Sequence, residues 1–205
     1  MIKQTFMEVL PDVWPMLIII TVIISSLRIA YLITKHKKFL LHKEIIYLLA
    51  IIYILCLFHV VTFQDINYGE SNFVPFKEIF RYSFGSRKFI RNVLGNIILF
   101  IPFGFLSSYL LKNRHLSVVT ILTLIASGTI ETVQYYIGRV FDIDDIILNL
   151  IGGIVGFLIF IGLDAIRNKV KLLKNDTVLD ILIIIILVLV MVYSLNINVF
   201  NLIGG

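Results

Sequence analysis

Between Ser127 and Asn149 the chain sets Glu131, Gln134, Arg139, Asp142, Asp144, Asp145 and Asn149, with apolar runs on either side. On a helix, residues three, four or seven apart share a face. Ser127, Glu131 and Gln134 have that spacing and form one polar stripe; Asp142, Asp145 and Asn149 form a second. A third pair, Asn92 and Asn96, lies four apart with Gly95 beside it. Carboxylates, amides and a guanidinium gathered in this way can hydrogen-bond a polar headgroup. They can also work as acid and base on one, or, joined by His59, hold a cation.

The elements that must carry these residues follow from the composition. Of 205 residues 59% are hydrophobic and 15% charged, and the mean hydropathy is +0.99, well above a soluble domain, which is about half apolar. Apolar runs recur at the length of about 20 residues that crosses a hydrocarbon layer. Because every backbone amide in lipid needs an internal partner, these runs read as helices. The chain is therefore an all-α polytopic membrane bundle forming a single domain over residues 1–205. Six spans are expected: Pro15–Ile33, Ile45–Phe63, Phe89–Leu111, Leu116–Ile137, Ile146–Ile166 and Val178–Ser194.

The net charge of +5 falls in short clusters between the runs, "KHKKFLLHK" from Lys35 and "RNKVKLLK" from Arg167. That is the pattern of cytoplasmic loops, and it argues for membrane lipids and against nucleic acid as partners. Counting Lys and Arg loop by loop places both termini outside, which turns the Glu131 to Asn149 stretch toward the exterior. Lone Cys56 lies within an apolar run, where a thiol is inert. The long second loop interleaves Phe73, Phe76, Phe80, Tyr82 and Phe84 with Lys77, Glu78 and Arg81. Such mixing suits an interfacial or re-entrant segment over residues 70–85.

Glu131 then lies about 9 Å inside its span at 1.5 Å per residue. A charge at the centre of a span costs about 2.5–3.5 kcal/mol on insertion scales. Facing the bundle, that cost is relieved by Gln134, Asn96, Asn149 or Arg139. Asp144 sits off the 142–145–149 stripe and reads as a turn or surface residue, or an N-cap. Gly152 and Gly156 continue that stripe as a small-xxx-small pair that lets another helix approach. Pro102 and Gly104 loosen the third span.

The segments "VPF" at Val74–Phe76, "NIILFIPFGFL" at Asn96–Leu106 and "SGTIETVQYYIGRVFDIDDIILNLIGGIVG" at Ser127–Gly156 together resemble the VanZ-like family of small bacterial membrane proteins. The resemblance covers about Asn72 to Gly162. It rests on an acid-x-x-Gln helix end, a Gly-Arg turn, an Asp-x-x-Asp pair and an Asn-x-x-Gly continuation, here Glu131, Gln134, Gly138, Arg139, Asp142, Asp145, Asn149 and Gly152. It implies a protein of the bacterial cytoplasmic membrane associated with low-level resistance to teicoplanin, a lipid-tailed glycopeptide. The resemblance carries no assigned catalytic residues.

Three functions fit. In the first, Asn92, Asn96, Glu131, Gln134, Arg139, Asp142, Asp145 and Asn149 bind the headgroup of a lipid-linked wall precursor or of a lipoglycopeptide. In the second, Glu131 is the acid or base of an intramembrane enzyme acting on a lipid headgroup, although no HExxH, serine elbow or other catalytic signature is present. In the third, the chain is a small-solute transporter, which would need polar residues to continue across the bundle. The motifs call for no cofactor and no metal.

Overall fold

The structure is a computed structural model. It describes the backbone of residues 2–63 and 71–203 and the side chains of residues 14–61 and 71–189. In chain order the helices are α1 (Ile2–Thr34), α2 (Leu41–Phe63), α3 (Lys77–Arg81), α4 (Arg87–Phe89), α5 (Gly95–Leu111), α6 (Leu116–Tyr136), α7 (Ile143–Lys169) and α8 (Asp176–Ile203). A π turn, Ile90–Leu94, joins α4 to α5. Five helical stretches among the described residues are long and apolar enough to cross a membrane: Trp14–Thr34, Leu41–Val61, Arg87–Leu111, Leu116–Tyr136 and Ile143–Lys169. The protein is an all-α membrane bundle. The sixth expected span, Val178–Ser194, falls on α8, and its last residues lie outside the described side chains. The helix carrying the first span begins at Ile2, well before the expected start at Pro15.

The chain divides into two compact units. One contains residues 1–17 and 52–164. Its interior is set by glycines. A Cβ on Gly104 of α5 would lie 1.9 Å from the carbonyl oxygen of Gly153 on α7. Cβ atoms on Gly152 and Gly156 would meet the Ile97 and Ile101 carbonyl oxygens at 2.2 and 2.0 Å. In lipid, where apolar burial drives little association, such backbone approach lets dispersion and close packing hold helices together. Phe100, Val119, Leu148, Phe157 and Phe160 fill the spaces between. α5 runs on through Pro102, which cannot donate to the carbonyl of Ile98. One residue along, the Tyr53 hydroxyl donates to the Leu99 carbonyl across 3.0 Å, so α2 supports the loosened turn.

The second unit contains residues 18–51 and 165–205. Its polar contacts gather at helix ends. Arg28 pairs with both carboxylate oxygens of Glu44, at 2.9 and 3.1 Å, and lies over the Tyr47 ring. Buried His42 donates its backbone N–H to Asp180 Oδ1, and its Nδ1 meets the same oxygen at 2.7 Å. Lys43 and Arg167 flank Asp176 at 3.7 and 3.6 Å.

Candidate functional site

The site is built at one end of the first unit, where α6 stops and α7 starts. The stop is a Schellman motif. Gly138, with φ of +87°, takes the left-handed conformation that a side chain disfavours. The Arg139 N–H then returns to the Gln134 carbonyl at 2.9 Å and the Gly138 N–H to that of Tyr135 at 3.2 Å. This reversal brings Arg139 back beside the last turn of α6. Gln134, oriented by its two neighbours, donates from Nε2 to Glu131 Oε1 at 3.0 Å and accepts from the Arg139 guanidinium at 2.5 Å. Arg139 also donates to the Val61 carbonyl at 3.0 Å, one of the carbonyls that the end of α2 leaves without a helical partner.

The start of α7 uses the same acids. Asp142 is its N-cap: Oδ1 accepts the Asp144 N–H at 2.9 Å. The Asp142 N–H donates to Glu131 Oε2 at 3.0 Å. Glu131 is 2% exposed, and both its oxygens are occupied by donors from the chain. Deeper by one turn, Asn149 Nδ2 donates to Ser127 Oγ at 2.8 Å. Asn96 reaches from α5 to hydrogen-bond Asp145.

Asp144 overturns its expected place. The sequence places it at a turn or surface, or as an N-cap; it is instead buried, 1% exposed, and the helix start that it caps is that of α3. Its Oδ1 accepts the Phe76 N–H at 2.5 Å; its Oδ2 accepts those of Glu78 and Ile79 at 2.7 and 3.1 Å. These amides open α3, so the carboxylate supplies the negative charge that a helix start favours. The contact holds Phe76 at φ of +66°, which costs a non-glycine residue about 1–2 kcal/mol. Asn72 completes the attachment. It exchanges backbone hydrogen bonds with Phe141 and Ile143, at 2.8 and 3.0 Å, and its Nδ2 donates to Asp142 Oδ1 at 2.8 Å. Residues 72–81 are thereby strapped to the start of α7, with Phe73 stacked on Phe141.

Of the residues expected to share the site, Glu131, Gln134, Arg139 and Asp142 form one connected network. Asp145 with Asn96, and Asn149 with Ser127, adjoin it. Asn92 does not join: its Nδ2 donates to the Tyr82 hydroxyl and its Oδ1 accepts from Arg91. Asn72 and Asp144 were missing from the expected set. The local signal for Asn72 is its turn, in which Oδ1 accepts the Val74 N–H at 3.1 Å. Its bond to Asp142 has no local signal.

Around this core lies an exposed rim. Phe73, Phe76, Phe80 and Phe84 are exposed, Phe84 by 92%, and Lys77, Arg81, Arg87 and Lys88 lie among them. Residue 70, the first of the expected interfacial segment, lies outside the described residues. At the other end of the unit Arg114 pairs with Asp164. Among the described residues no three His, Cys, Asp or Glu side chains converge as a metal site.

The sequence model of one family, VanZ/LLP1, matches residues 44–167, more than half of the chain. No curated protein and no solved structure matches it.

Proposed function

The chain belongs to the VanZ/LLP1 family, and from that premise we propose that it is a cell-envelope protein of a bacterial cytoplasmic membrane that engages the headgroup of a lipid-linked molecule. The ligand class is a wall precursor or a lipid-tailed glycopeptide such as teicoplanin, and engagement gives low-level protection. In this reading both termini and the Glu131 network face the exterior. The observation that carries it is the buried Glu131, tied through Gln134 to Arg139, at the end of the bundle where an aromatic and basic rim is exposed.

The physical logic is preorganisation. Charged groups held by packing and by each other lose little freedom on binding. They also sit in a low-dielectric setting where their interactions are strong. The rim supplies rings for the boundary between headgroups and acyl chains and cations for phosphate. Expression of Glu131→Gln and Arg139→Lys forms in a teicoplanin-sensitive bacterium tests the reading. Both lose protection while the amount of protein in the membrane stays constant. Full protection by both removes the network from the function.

A further inference from the structure

The π turn at Ile90–Leu94 has no part in the Glu131 network. In it the Gly95 N–H bonds to the Ile90 carbonyl, which inserts one residue into the helix, and turns of this kind recur at functional sites. The turn carries a chain of polar groups. Arg91 Nε donates to Asn92 Oδ1 at 3.3 Å, and Asn92 Nδ2 donates to the Tyr82 hydroxyl at 2.8 Å. The two bonds together fix the orientation of the amide. Because the hydroxyl oxygen is already accepting, its hydrogen is directed away from Asn92, and no acceptor among the described residues takes it. The terminal guanidinium nitrogens of Arg91 likewise have no acceptor among the described residues.

The segment from Tyr82 to Phe89 closes on itself. Gly85 takes a left-handed φ of +77°, the Ser86 N–H returns to the Ser83 carbonyl at 3.1 Å, and Ser86 Oγ accepts the Phe89 N–H at 3.1 Å. The Phe84 ring packs on that of Phe89 with centroids 5.1 Å apart. Guanidinium and hydroxyl are thus joined through one amide before any ligand arrives, and donors held in this way lose little freedom on binding. A pair of donors selects an anion, and the guanidinium fork matches phosphate oxygens. The surrounding charge has the same preference. Lys77, Arg87, Lys88 and Arg91 are exposed and pair with no carboxylate among the described residues, whereas Arg81 is paired with Glu78. Depth selects the source of the phosphate. The stretch Arg87–Leu111 has 25 residues, more than the about 20 needed to cross the hydrocarbon, so its polar first turns lie at the level of the headgroups. Phe80 and Phe84, 82% and 92% exposed, suit the boundary between headgroups and acyl chains, and a soluble anion has no use for them.

We propose that Arg91 and Tyr82, linked through Asn92, bind the phosphate of an anionic phospholipid, and that Arg87 and Lys88 raise the local concentration of such lipids. The proposal rests on the reading that the rim lies among the headgroups and gives that rim its phosphate site. It does not require Glu131 to meet a ligand.

The test is native mass spectrometry of the full-length protein in detergent, titrated with dioleoyl phosphatidylglycerol or dioleoyl phosphatidylcholine. Phosphatidylglycerol binds the more tightly, and an excess of inorganic phosphate does not displace it. Arg91→Gln and Tyr82→Phe each lower the affinity for phosphatidylglycerol by about threefold to tenfold. Arg91→Lys, which keeps the charge and loses the fork, falls between Arg91→Gln and the unaltered protein. Lys37→Gln removes the same charge from an exposed position outside the rim and leaves the affinity unchanged. An affinity in Arg91→Gln no lower than in Lys37→Gln overturns the proposal, as does displacement of the lipid by inorganic phosphate. Glu131→Gln retains phosphatidylglycerol binding, so failure of this site and failure of the Glu131 network in antibiotic protection are read separately.

Discussion

The Asp142 N–H donates to Glu131 Oε2 across 3.0 Å, so the acid near the end of α6 also helps to fix where α7 begins. Because Gln134 binds the other oxygen, Glu131 is matched by donors on both sides. A glutamine there keeps one acceptor and turns an amide toward the second donor. Glu131→Gln therefore loses about 1–3 kcal/mol and Glu131→Leu, which removes both acceptors, loses more. Thermal midpoints in detergent check the order. A glutamine variant less stable than the leucine variant contradicts it.

Asp144 holds α3 through three backbone amides. Asp144→Ala leaves those donors without the carboxylate and removes what keeps Phe76 left-handed. Loss of about 1.4–2.8 kcal/mol of local stability is a 10- to 100-fold rise in opening. Hydrogen exchange at Phe76, Glu78 and Ile79 should accelerate by that factor while the amides of α5 change little. Unaltered exchange at these three positions would show that other contacts hold the strap.

The glycines of the α5–α7 contact are not interchangeable with others in the same helices. Gly104→Ala drives a Cβ into the Gly153 carbonyl, and Gly156→Ala drives one into that of Ile101. Each should cost about 1–3 kcal/mol through forced backbone shifts. Gly162 and Gly128 have nothing within 4 Å of an added Cβ. Alanine at either is neutral or stabilising by up to about 1 kcal/mol, because glycine is the poorer helix former. A common cost at all four positions, read from unfolding midpoints, would rule out the close approach.

Burial pushes the Asp142 carboxyl above the usual carboxylate range, against the bonds from the Asp144 N–H and Asn72 that draw it down. Its folded pKa thus exceeds its unfolded one. The folded state holds the extra proton between the two values. This residue's contribution therefore falls as pH rises from the ordinary carboxylate value through the raised one. Asparagine caps a helix as well as aspartate does, so Asp142→Asn keeps α7 and flattens that loss. Midpoints measured across the acidic range should show a shallower decline in the variant. Identical slopes would place the titration elsewhere.

The sequence alone determined that this chain is a bundle of membrane helices, because length and hydropathy are local properties and lipid leaves helices as the way to pair the backbone. It also determined which polar residues share a face, since helical spacing is arithmetic on residue numbers, and so Glu131 with Gln134 and Asp145 with Asn149 were legible. Gly138 could be read as a helix stop; that it folds Arg139 back onto Gln134 could not. Only the tertiary structure decided that Asp144 caps a helix begun 67 residues earlier in the chain at Lys77, that Asn72 binds Asp142, and that Asn92 turns to Tyr82. The first two are contacts between segments far apart along the chain. Their partners are chosen by where packing puts the helix ends, and in this unit that placement is governed by glycines of α5 and α7 lying backbone to backbone.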